Sequence, residues 1–565
     1  MLITNLILAA VTYLSPVHFD VTLAGNFGEP RPNHFHGGLD IKTQLVEGKA
    51  VYSIGDGYIS RVSVNIGGLG NAVYVRHPEG YTSVYAHLQR FAPSIEAMVR
   101  KWQYRHQTTD VDMELNATDC PVAAGQLIAL SGDTGASMGP HLHLEIRETA
   151  TWNMMDPLDF LPGLLEDSVP PKAHSIMAYP VEGEGSFCGK MEQQRFDIEE
   201  GMIADSLFAW GKVGFGIFAE DFMQGSYHRY GIRCTMLLVD GEEVFRSDVD
   251  NIPVAENKMV NVWGDYDYFV KNEQWFMKSF LTPANKLSIL KANKDNGYVH
   301  FDQQRDYLIT YVLCDFFGNQ SRFSFTVTAR PDSLPVVDKE SNDSVLFKMS
   351  EPNSCMLEDI SLTVPEGSLC ADVRVKPSSR SSRRSRPLHS NEFQFAMKSI
   401  PLFDDAMIRL KVNGTNDDMV DSSKLYIAAL KRDKRNDLDP EKDPVVCIDS
   451  HFSQGWIEGS VSDIGDVFFV ALDDTPPRII PIHENSWPTD SIVQFDLKDE
   501  QSGVINFKGF LDDQFVLFDY VKKSSKVICD LRNTPVTPTG RERQLKFLAR
   551  DRKGNESTYQ TTINY

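Results

Sequence analysis

The first third of the chain is dominated by short runs in which apolar and polar residues alternate, with glycines between the runs. Such alternation is typical of strands with one buried face, and the glycines indicate turns. The runs cover residues 50–54, 71–76, 81–88 and 126–131. We therefore predict an antiparallel β-sheet domain over residues 13–165. A small helical insertion at about 92–120 interrupts it, because residues 94–107 follow a proline, show helical spacing and precede a polar loop to Cys120.

The rest of the chain predicts further β-rich modules. A chain of 565 residues is too long for one hydrophobic core, so three or four domains are expected. Two segments open on a double proline and close on Asp-x-x-Gly-Asn, at 315–319 and 551–555, followed by an alternating run. Such a turn suits the last hairpin of a β-sandwich. The sequence thus predicts a mainly β protein, with immunoglobulin-like β-sandwich modules at 168–335 and 475–565 and a β-rich module at 337–474 between them.

Charge and hydropathy exclude two classes of partner. The formal net charge of −22 argues against nucleic acid, because binding phosphates needs clustered Lys and Arg. No stretch of the sequence is long and apolar enough for a transmembrane segment. One basic segment, the Ser/Arg loop at 376–386, could hold an anionic polymer, but a solvated flexible loop is the interpretation that its composition favours.

Two features bear on the compartment in which the chain works. Residues 1–12 resemble the apolar core of a signal peptide, but no Lys or Arg precedes it and its cleavage site is unclear. A truncated signal peptide and a first buried strand both stay open, and we favour export to the periplasm or cell envelope. The eight cysteines contain no Cys-x-x-Cys pair, which excludes the usual zinc knuckles. Cys355 and Cys370 could form a disulfide or remain free buried thiols.

Residues 34–42 are the first of three elements that carry candidate site residues. They read His-Phe-His-Gly-Gly-Leu-Asp-Ile-Lys, and the two glycines favour a turn that leads into a strand. His36 and Asp40 supply an imidazole and a carboxylate, which are plausible ligands for a borderline metal such as zinc. On its own, such a pair is more often an ordinary surface histidine and aspartate.

The other two elements are strands that carry histidines. At 141–146 the alternation places His141, His143 and Glu145 on one face and three apolar residues on the core face. We treat Glu145 as a rim residue or a partner of a ligand, with simple exposure favoured. At 81–88 the same alternation places His87 on the polar face, with Tyr81, Ser83 and Tyr85. Taken singly, each histidine is more often an ordinary residue of a half-exposed strand.

Together the elements resemble the ordered pattern of lysostaphin/LytM-type peptidoglycan endopeptidases, a family of the duplicated hybrid motif type. That pattern is His-x-Gly-x-Asp, Tyr-Ala-His-Leu, Ser-Gly-x-Thr-Gly and His-Leu-His, met here at 36–40, 85–88, 131–135 and 141–143. The resemblance covers about residues 26–156. The main departure is the insertion at 92–120, which we expect to affect the shape of the groove rather than its chemistry. The order of modules looks like secreted members from Bacteroidetes-type bacteria.

The resemblance implies a zinc-dependent endopeptidase that cuts peptide cross-links of peptidoglycan. It implies that His36, Asp40 and His143 bind one zinc ion per chain and leave a position open for water. His34 competes with His36, and the family spacing favours His36. The same resemblance gives His87 and His141 as the catalytic pair. We expect His141 to be the general base and acid and His87 to stabilise the oxyanion or steer the water, although the sequence does not decide between the two.

Two other functions stay open at this stage. One is a non-hydrolytic or gated relative that regulates other cell-wall hydrolases, which retention of all five motif positions disfavours. The other is an envelope adhesin or scaffold that binds an envelope protein through its β modules, where His300, His451 and His483 are isolated. The resemblance does not choose between glycyl bridges and direct D-alanyl to diaminopimelate links, and an exported Gram-negative origin favours the direct links.

Overall fold

The computed structural model describes residues 11–334, 344–381, 389–413, 421–431, 445–521 and 524–565. These residues form two compact units, one built mainly from residues 11–334 and the other mainly from residues 344–565. Residues 1–10 of the predicted export segment and residues 382–386 of the Ser/Arg loop lie outside the described residues. Within the described parts of the chain, no helix is long and apolar enough to cross a membrane.

The first domain is built on the predicted antiparallel sheet. Across this sheet the strands lie in the order Leu23–Gly25, Leu39–Lys42, His141–Glu148, Tyr81–Ala86, Ala72–Arg76, Gly57–Val64 and Val111–Glu114. A second, smaller sheet has the order Ala50–Tyr52, Leu127–Leu130 and Arg90–Phe91. The remaining short strands are Pro121–Val122, Met154–Met155 and the hairpin of Pro30–Arg31 with His34–Phe35. All four strands expected from alternation are confirmed, each with slightly trimmed ends.

The insertion contains the expected helix and one strand that the sequence did not predict. The helix spans Pro93–His106, with Ile95, Val99 and Gln103 buried along one face. The polar loop predicted after it is partly wrong, because Val111–Glu114 pairs antiparallel with Gly57–Val64. This strand is only four residues long and two of its residues are acidic, so its composition does not indicate a strand. Its pairing with a neighbouring strand identifies it.

Strand register in the large sheet places the three motif segments side by side. His143 lies directly opposite Asp40 on one neighbouring strand and opposite Ala86 on the other. Leu142, Leu144 and Ile146 are fully buried, which confirms the predicted core face.

The strand Tyr81–Ala86 differs from the prediction because both its faces are buried. Ser83 and Tyr85, on the face expected to be polar and half-exposed, have no exposed surface. The Tyr85 hydroxyl accepts a hydrogen bond from the Ile54 backbone amide at 2.8 Å and one from the Ser83 hydroxyl at 3.0 Å. The segment that follows the strand Ala50–Tyr52 therefore covers this face.

A second β module completes the first unit. Its sheet has the order Gln194–Asp197, Lys172–Phe187, Leu207–Glu220, Gln320–Ala329, Asp306–Cys314, Cys234–Val239, Glu242–Asp248 and Leu290–Ala292, with Met277–Lys278 and Val299–Phe301 also on Leu207–Glu220. The turn at 315–319 closes the last hairpin, as predicted. The strand Asn251–Ile252 pairs with Met154–Met155 of the first domain. Short helices span Pro157–Asp159, Val254–Met259, Val260–Trp263 and Tyr266–Asn272.

The second unit contains two β regions, each with its own apolar core. In the first region, two sheets pack around a core that includes Phe393 and Phe468. Their strand orders are Asn353–Leu357, Ile360–Val364, Pro401–Lys411, Trp456–Asp463 and Ser450–Ser453, and Ser378–Arg380, Glu392–Gln394, Val467–Leu472, Leu425–Leu430 and Val445–Ile448. Val345–Phe347 pairs with Val373–Val375, and a short helix spans Ser422–Lys424.

The last region has two four-stranded sheets around a core that includes Trp487, Phe495 and Phe547. Their strand orders are Arg478–Pro481, Ile492–Lys498, Lys526–Asp530 and Asp519–Tyr520, and Gln514–Val516, Val504–Leu511, Glu542–Asp551 and Glu556–Asn564. Short helices span Glu484–Ser486, Trp487–Asp490 and Leu531–Asn533. The turn at 551–555 again precedes the final strand, as predicted.

All eight cysteines lie in the described residues and none of them forms a disulfide. Of the two alternatives for Cys355 and Cys370, the structure therefore shows two separate thiols, both half-buried.

The close approach of Gly38 to the strand His141–Glu148 generates a stability prediction. A Cβ at Gly38 would lie 2.1 Å from the carbonyl oxygen of Leu144, whereas a Cβ at Gly139 would meet no atom within 4 Å. We expect Gly38→Ala to lower the free energy of unfolding by about 1–3 kcal/mol, because the two backbones must separate. Thermal unfolding measures this, with Gly139→Ala as the matched control. Equal melting temperatures for the two variants would contradict the close packing.

Candidate metal centre

His36, Asp40 and His143 meet at one point beside the large sheet. His36 Nε2 lies 3.0 Å from Asp40 Oδ1 and 3.1 Å from His143 Nδ1. His143 Nδ1 lies 2.8 Å from the same Asp40 oxygen. The exposed fractions of the three residues are 2%, 8% and 6%, so these atoms are shielded from bulk water. The structure thus brings together the three residues that the sequence predicted as metal ligands.

Hydrogen bonds on the far side of each ring show which histidine nitrogen faces the triangle as an acceptor. His36 Nδ1 lies 2.6 Å from the Asn26 carbonyl oxygen, and His143 Nε2 lies 3.1 Å from Glu145 Oε1. A ring that donates from one nitrogen presents a lone pair at the other. Two imidazole lone pairs and a carboxylate oxygen therefore converge, and such a set is stable only around positive charge.

The donor set fits zinc in type and in spacing. Tetrahedral zinc with bonds of about 2.0–2.1 Å to nitrogen and oxygen keeps its ligand atoms about 3.3 Å apart. The three separations of 2.8–3.1 Å need only a small expansion to reach that value. Three protein ligands leave a fourth position for water or substrate, which is typical of catalytic rather than structural zinc sites.

The ionisation of these groups shows that the triangle attracts positive charge. Burial opposes the charge of Asp40, but His36, His141 and His143 outweigh it and hold the pKa of this carboxyl well below its usual range. Burial lowers the pKa of His36 to about 4. Burial also opposes a proton on His143, yet its hydrogen bonds to Asp40 and Glu145 raise its pKa to about 9.

Glu145 contacts His143 and is not exposed. Its exposed fraction is 5%, and its second carboxylate oxygen accepts a hydrogen bond from Arg147 Nε at 2.6 Å. Burial opposes its charge, but His143 and Arg147 hold its pKa at about 2. The favoured interpretation of simple exposure is therefore wrong. The strand face that carries Glu145 is covered because the backbone of Gly37 packs closely over it. A Cβ at Gly37 would lie 2.8 Å from Met154 Sδ and 3.0 Å from Glu145 Oε1.

Arg31 is a charged neighbour of the site that sequence reasoning missed. Its Nη2 donates to Asp40 Oδ2 at 2.9 Å, which leaves Oδ1 for the triangle. Arg31 lies on the short hairpin with His34, whose exposed ring makes its own contact at 2.9 Å with the Pro32 carbonyl oxygen. His34 thus lies outside the triangle. The histidine that lies in it is His36, the one that the motif spacing favoured.

His87 and His141 lie beside the triangle, with their rings 4.8 Å apart. His87 follows the strand Tyr81–Ala86 with a left-handed φ of 59°, and its Nδ1 lies 2.8 Å from the Thr134 carbonyl oxygen. His141 Nδ1 lies 2.8 Å from the Gly139 carbonyl oxygen, and its Nε2 lies 3.3 Å from Asp40 Oδ1. Burial and the neighbouring histidines lower the pKa of His87 to about 4, so this ring is neutral at pH 7.

The second β module helps to hold the site. The Asn26 side chain accepts from the Gly231 backbone amide at 2.8 Å and donates to the Gly231 carbonyl at 2.9 Å. Because the Asn26 carbonyl contacts His36, this pair links the module to the triangle. Asn257 and Asn261 of the same module contact the backbone amides of Phe35 and Asn33 at 2.7 and 3.1 Å. Partners more than 200 residues apart leave no signal in the local sequence.

Two segments of the chain match known families. Residues 34–157 match peptidase family M23, and residues 344–473 match the Zu5-like domain. Among solved structures, the catalytic domain of lysostaphin from Staphylococcus simulans is 24% identical and covers 24% of this chain and 86% of its own, with a TM-score of 0.18. A zinc-containing peptidase from Vibrio cholerae is 29% identical and covers 23% of this chain and 35% of its own, with a TM-score of 0.17.

Several curated relatives also match. The uncharacterized metalloprotease of Haemophilus influenzae is 33% identical over 118 residues, or 21% of this chain and 19% of the relative. The DD-carboxypeptidase/endopeptidase Mpg of Neisseria meningitidis is 34% identical over 112 residues, or 20% of each chain. The peptidoglycan DD-endopeptidase ShyA of Vibrio cholerae is 31% identical over 138 residues, or 23% of this chain and 26% of the relative. The matches thus span 19–26% of these relatives' lengths.

The contact between Glu145 and His143 generates a prediction about metal affinity. We expect Glu145→Gln to weaken zinc binding about 10–100-fold, because the amide cannot supply the negative charge that orients the ring and strengthens it as a ligand. Competition with a zinc chelator measures the affinity. Glu148→Gln, on the same strand but away from the triangle, is the matched control. A Glu145→Gln variant that binds zinc as tightly as the control would contradict this role.

Proposed function

We propose, from the M23/LytM-type peptidase domain that residues 34–157 form, that this chain is a zinc-dependent endopeptidase acting on peptide cross-links of bacterial peptidoglycan. The observation that carries the proposal is the buried triangle of His36, Asp40 and His143 with His87 and His141 beside it. The resemblance to this family implies that the first three side chains are ligands and that the other two are catalytic groups.

In this proposal the triangle holds one zinc ion per chain. His36 binds through Nε2, His143 through Nδ1 and Asp40 through Oδ1, because the other atoms of these groups already contact Asn26, Glu145 and Arg31. Zinc at this position supplies Lewis-acid polarisation of a peptide carbonyl and makes a water molecule acidic near neutral pH.

His141 is the proposed general base and acid. The Gly139 carbonyl fixes a proton on Nδ1, so Nε2 presents a lone pair beside the ligand Asp40. This nitrogen takes a proton from the attacking water and returns it to the leaving amine. Its partly exposed ring, in contrast with the buried ligands, gives protons and substrate access to it.

His87 is proposed to orient the water and stabilise charge in the transition state. The Thr134 carbonyl holds its Nδ1 proton, and burial keeps the ring neutral, so Nε2 accepts a hydrogen bond from the attacking water. The oxygen of this water keeps its second proton in the tetrahedral intermediate, so the same nitrogen continues to accept a hydrogen bond from it and holds the intermediate in place. His87 does not contact the ligand atoms at hydrogen-bond distance in the described residues, which separates its role from metal binding.

We propose that the bond cut is the direct D-alanyl to diaminopimelate cross-link. The support comes from relatives that are named DD-endopeptidases and match the peptidase domain at 31–34% identity. An exported protein of the periplasm or cell envelope fits this substrate. Purified walls with direct cross-links should be cleaved, and walls with glycyl bridges should not.

The regions outside the peptidase domain are proposed to be immunoglobulin-like modules at 168–335 and 475–565, with a β-rich module at 337–474 that includes the Zu5-like segment. Their closing hairpins support this architecture. We propose that the modules of the second unit bind an envelope protein, while the module at 168–335 supports the site through Asn26.

The proposed activity predicts that the purified chain contains one zinc ion and releases cross-linked muropeptides. A chelator should abolish the release, and added zinc should restore it, because the triangle needs the metal to act on a carbonyl. Metal analysis and chromatography of muropeptides measure both quantities. One zinc without cleavage would contradict the endopeptidase and favour a gated regulator. Neither zinc nor cleavage would leave the β modules as the functional part.

The division of roles predicts that two histidine variants, both impaired in hydrolysis, differ in zinc binding. His143→Ala should abolish both zinc binding and hydrolysis, because it removes one of three ligands. His87→Ala should retain zinc while its turnover falls by about 100-fold or more, as expected for loss of an acid–base or oxyanion group. Zinc content and muropeptide release are compared for both variants. Equal loss of zinc in the two would show that the roles are wrongly assigned.

A further inference from the structure

A second cluster of possible metal ligands lies in the module at 168–335, apart from the zinc triangle. Asp167, Asp221 and Asp315 offer carboxylate oxygens that all lie within 4.8 Å of one another. Asp221 and Asp315 are 2% and 5% exposed. The proposed peptidase mechanism uses none of these groups, so three acids placed this close together, two of them buried and Asp167 partly buried, need another explanation.

The fold brings the three aspartates together from distant parts of the chain. Asp221 directly follows the strand Leu207–Glu220, and Asp315 directly follows the strand Asp306–Cys314. Asp167 precedes the double proline that opens the module. The Asn319 side chain joins two of these segments, since its amide donates to the Asp315 carboxylate at 2.7 Å and to the Asp167 carbonyl oxygen at 3.2 Å. The cluster is therefore held in place by its own module.

Two oxygens of the cluster are buried without a partner. Neither Asp221 Oδ1 nor Asp167 Oδ2 has a hydrogen bond, although each is shielded from solvent. Within the described residues, no Lys or Arg forms an ion pair with any of the three aspartates. A buried carboxylate oxygen with neither a donor nor a counter-charge is costly, so these two atoms point to a cation that would satisfy them.

The pKa values of these carboxyl groups also indicate that the cluster holds a positive charge. Burial and the nearby charges of Asp315 and Asp167 raise the pKa of Asp221 to about 8. Burial also raises the pKa of Asp315. Near neutral pH the cluster is therefore stable only if a proton or a cation offsets its negative charge.

We propose that Asp167, Asp221 and Asp315 bind a calcium ion. The cluster offers only oxygen atoms and no imidazole or thiolate, which suits a hard cation rather than a second zinc. Calcium accepts six to eight oxygens, including carboxylates, backbone carbonyls and water, in flexible geometry. Magnesium demands a regular octahedron and sheds water reluctantly, so it fits a buried set of irregularly placed carboxylates less well.

The last module of the chain provides a matched cluster that lacks the decisive feature. Asp473, Asp499 and Asp551 occupy the equivalent positions, before a double proline and at two strand ends. Carboxylates accept hydrogen bonds in both clusters, here Asp473 from Ser502 at 2.5 and 3.1 Å, and Asp499 from two backbone amides at 2.7 and 3.0 Å, so the difference lies in the oxygens left without a partner. None of its oxygens is buried without a partner. We therefore expect one calcium ion per chain and not two.

The test measures calcium binding by the zinc-loaded chain with titration calorimetry. Thermal unfolding of the same chain is then compared without added cation, with calcium and with magnesium. Asp221→Asn removes one charge from the cluster without changing its size, and Asp499→Asn makes the same change in the matched cluster. The wild type and Asp499→Asn should bind one calcium and melt at a higher temperature with it. Asp221→Asn should lose that calcium and its melting shift while it keeps its zinc.

A loss of fold cannot imitate this result, because Asp221→Asn relieves repulsion and should melt at or above the temperature of the calcium-free wild type. The proposal would be overturned by a wild type that neither binds calcium nor gains stability from it. It would equally be overturned if Asp221→Asn bound calcium like the wild type. Magnesium that stabilised the chain as strongly as calcium would overturn the assignment of calcium.

Discussion

The pairing of the strand His141–Glu148 with its two neighbours is the constraint on which the metal centre depends. This pairing sets His143 opposite Asp40 on one side and opposite Ala86 on the other, one residue before His87. Side chains alternate along a strand, so a shift of the register by one residue would turn His141 and His143 into the core and Leu142 outward. The apolar residues between the histidines are fully buried and oppose such a shift. The core thereby fixes the site.

Contacts with neighbouring groups then fix the orientation of His36, Asp40 and His143. Asn26 and Glu145 hold the far nitrogens of the two histidine rings, and Arg31 holds the second oxygen of Asp40. Asn26 is in turn held by Gly231 of the following module. Such supports hold the two rings and the carboxylate in place before any metal arrives, which reduces the cost of assembling the site on binding. The β module that contains Gly231 therefore contacts the segment that holds His36 in position.

Much of this arrangement could be predicted from the sequence because its signals are local. Period-two alternation predicts the strands, and four short motifs predict the candidate site residues. The unpredicted features depend on contacts between distant residues. Burial of Glu145 depends on Gly37 and Met154, and the support of His36 depends on a partner 205 residues from Asn26. The aspartate cluster likewise joins residues 167, 221 and 315. These residues are distant in the sequence, and the folding of the module brings them together.

X-ray absorption at the zinc edge of the purified chain tests the central claim most directly, because it reports the atoms bound to the metal. Two imidazoles, one carboxylate and a water predict a shell of nitrogen and oxygen at about 2.0–2.1 Å, with scattering from the outer atoms of the imidazole rings. The chain also has eight cysteines outside any disulfide, which are competing ligands for zinc. A sulfur shell at about 2.3 Å would contradict the account, because it would place the zinc on thiolates instead of the triangle.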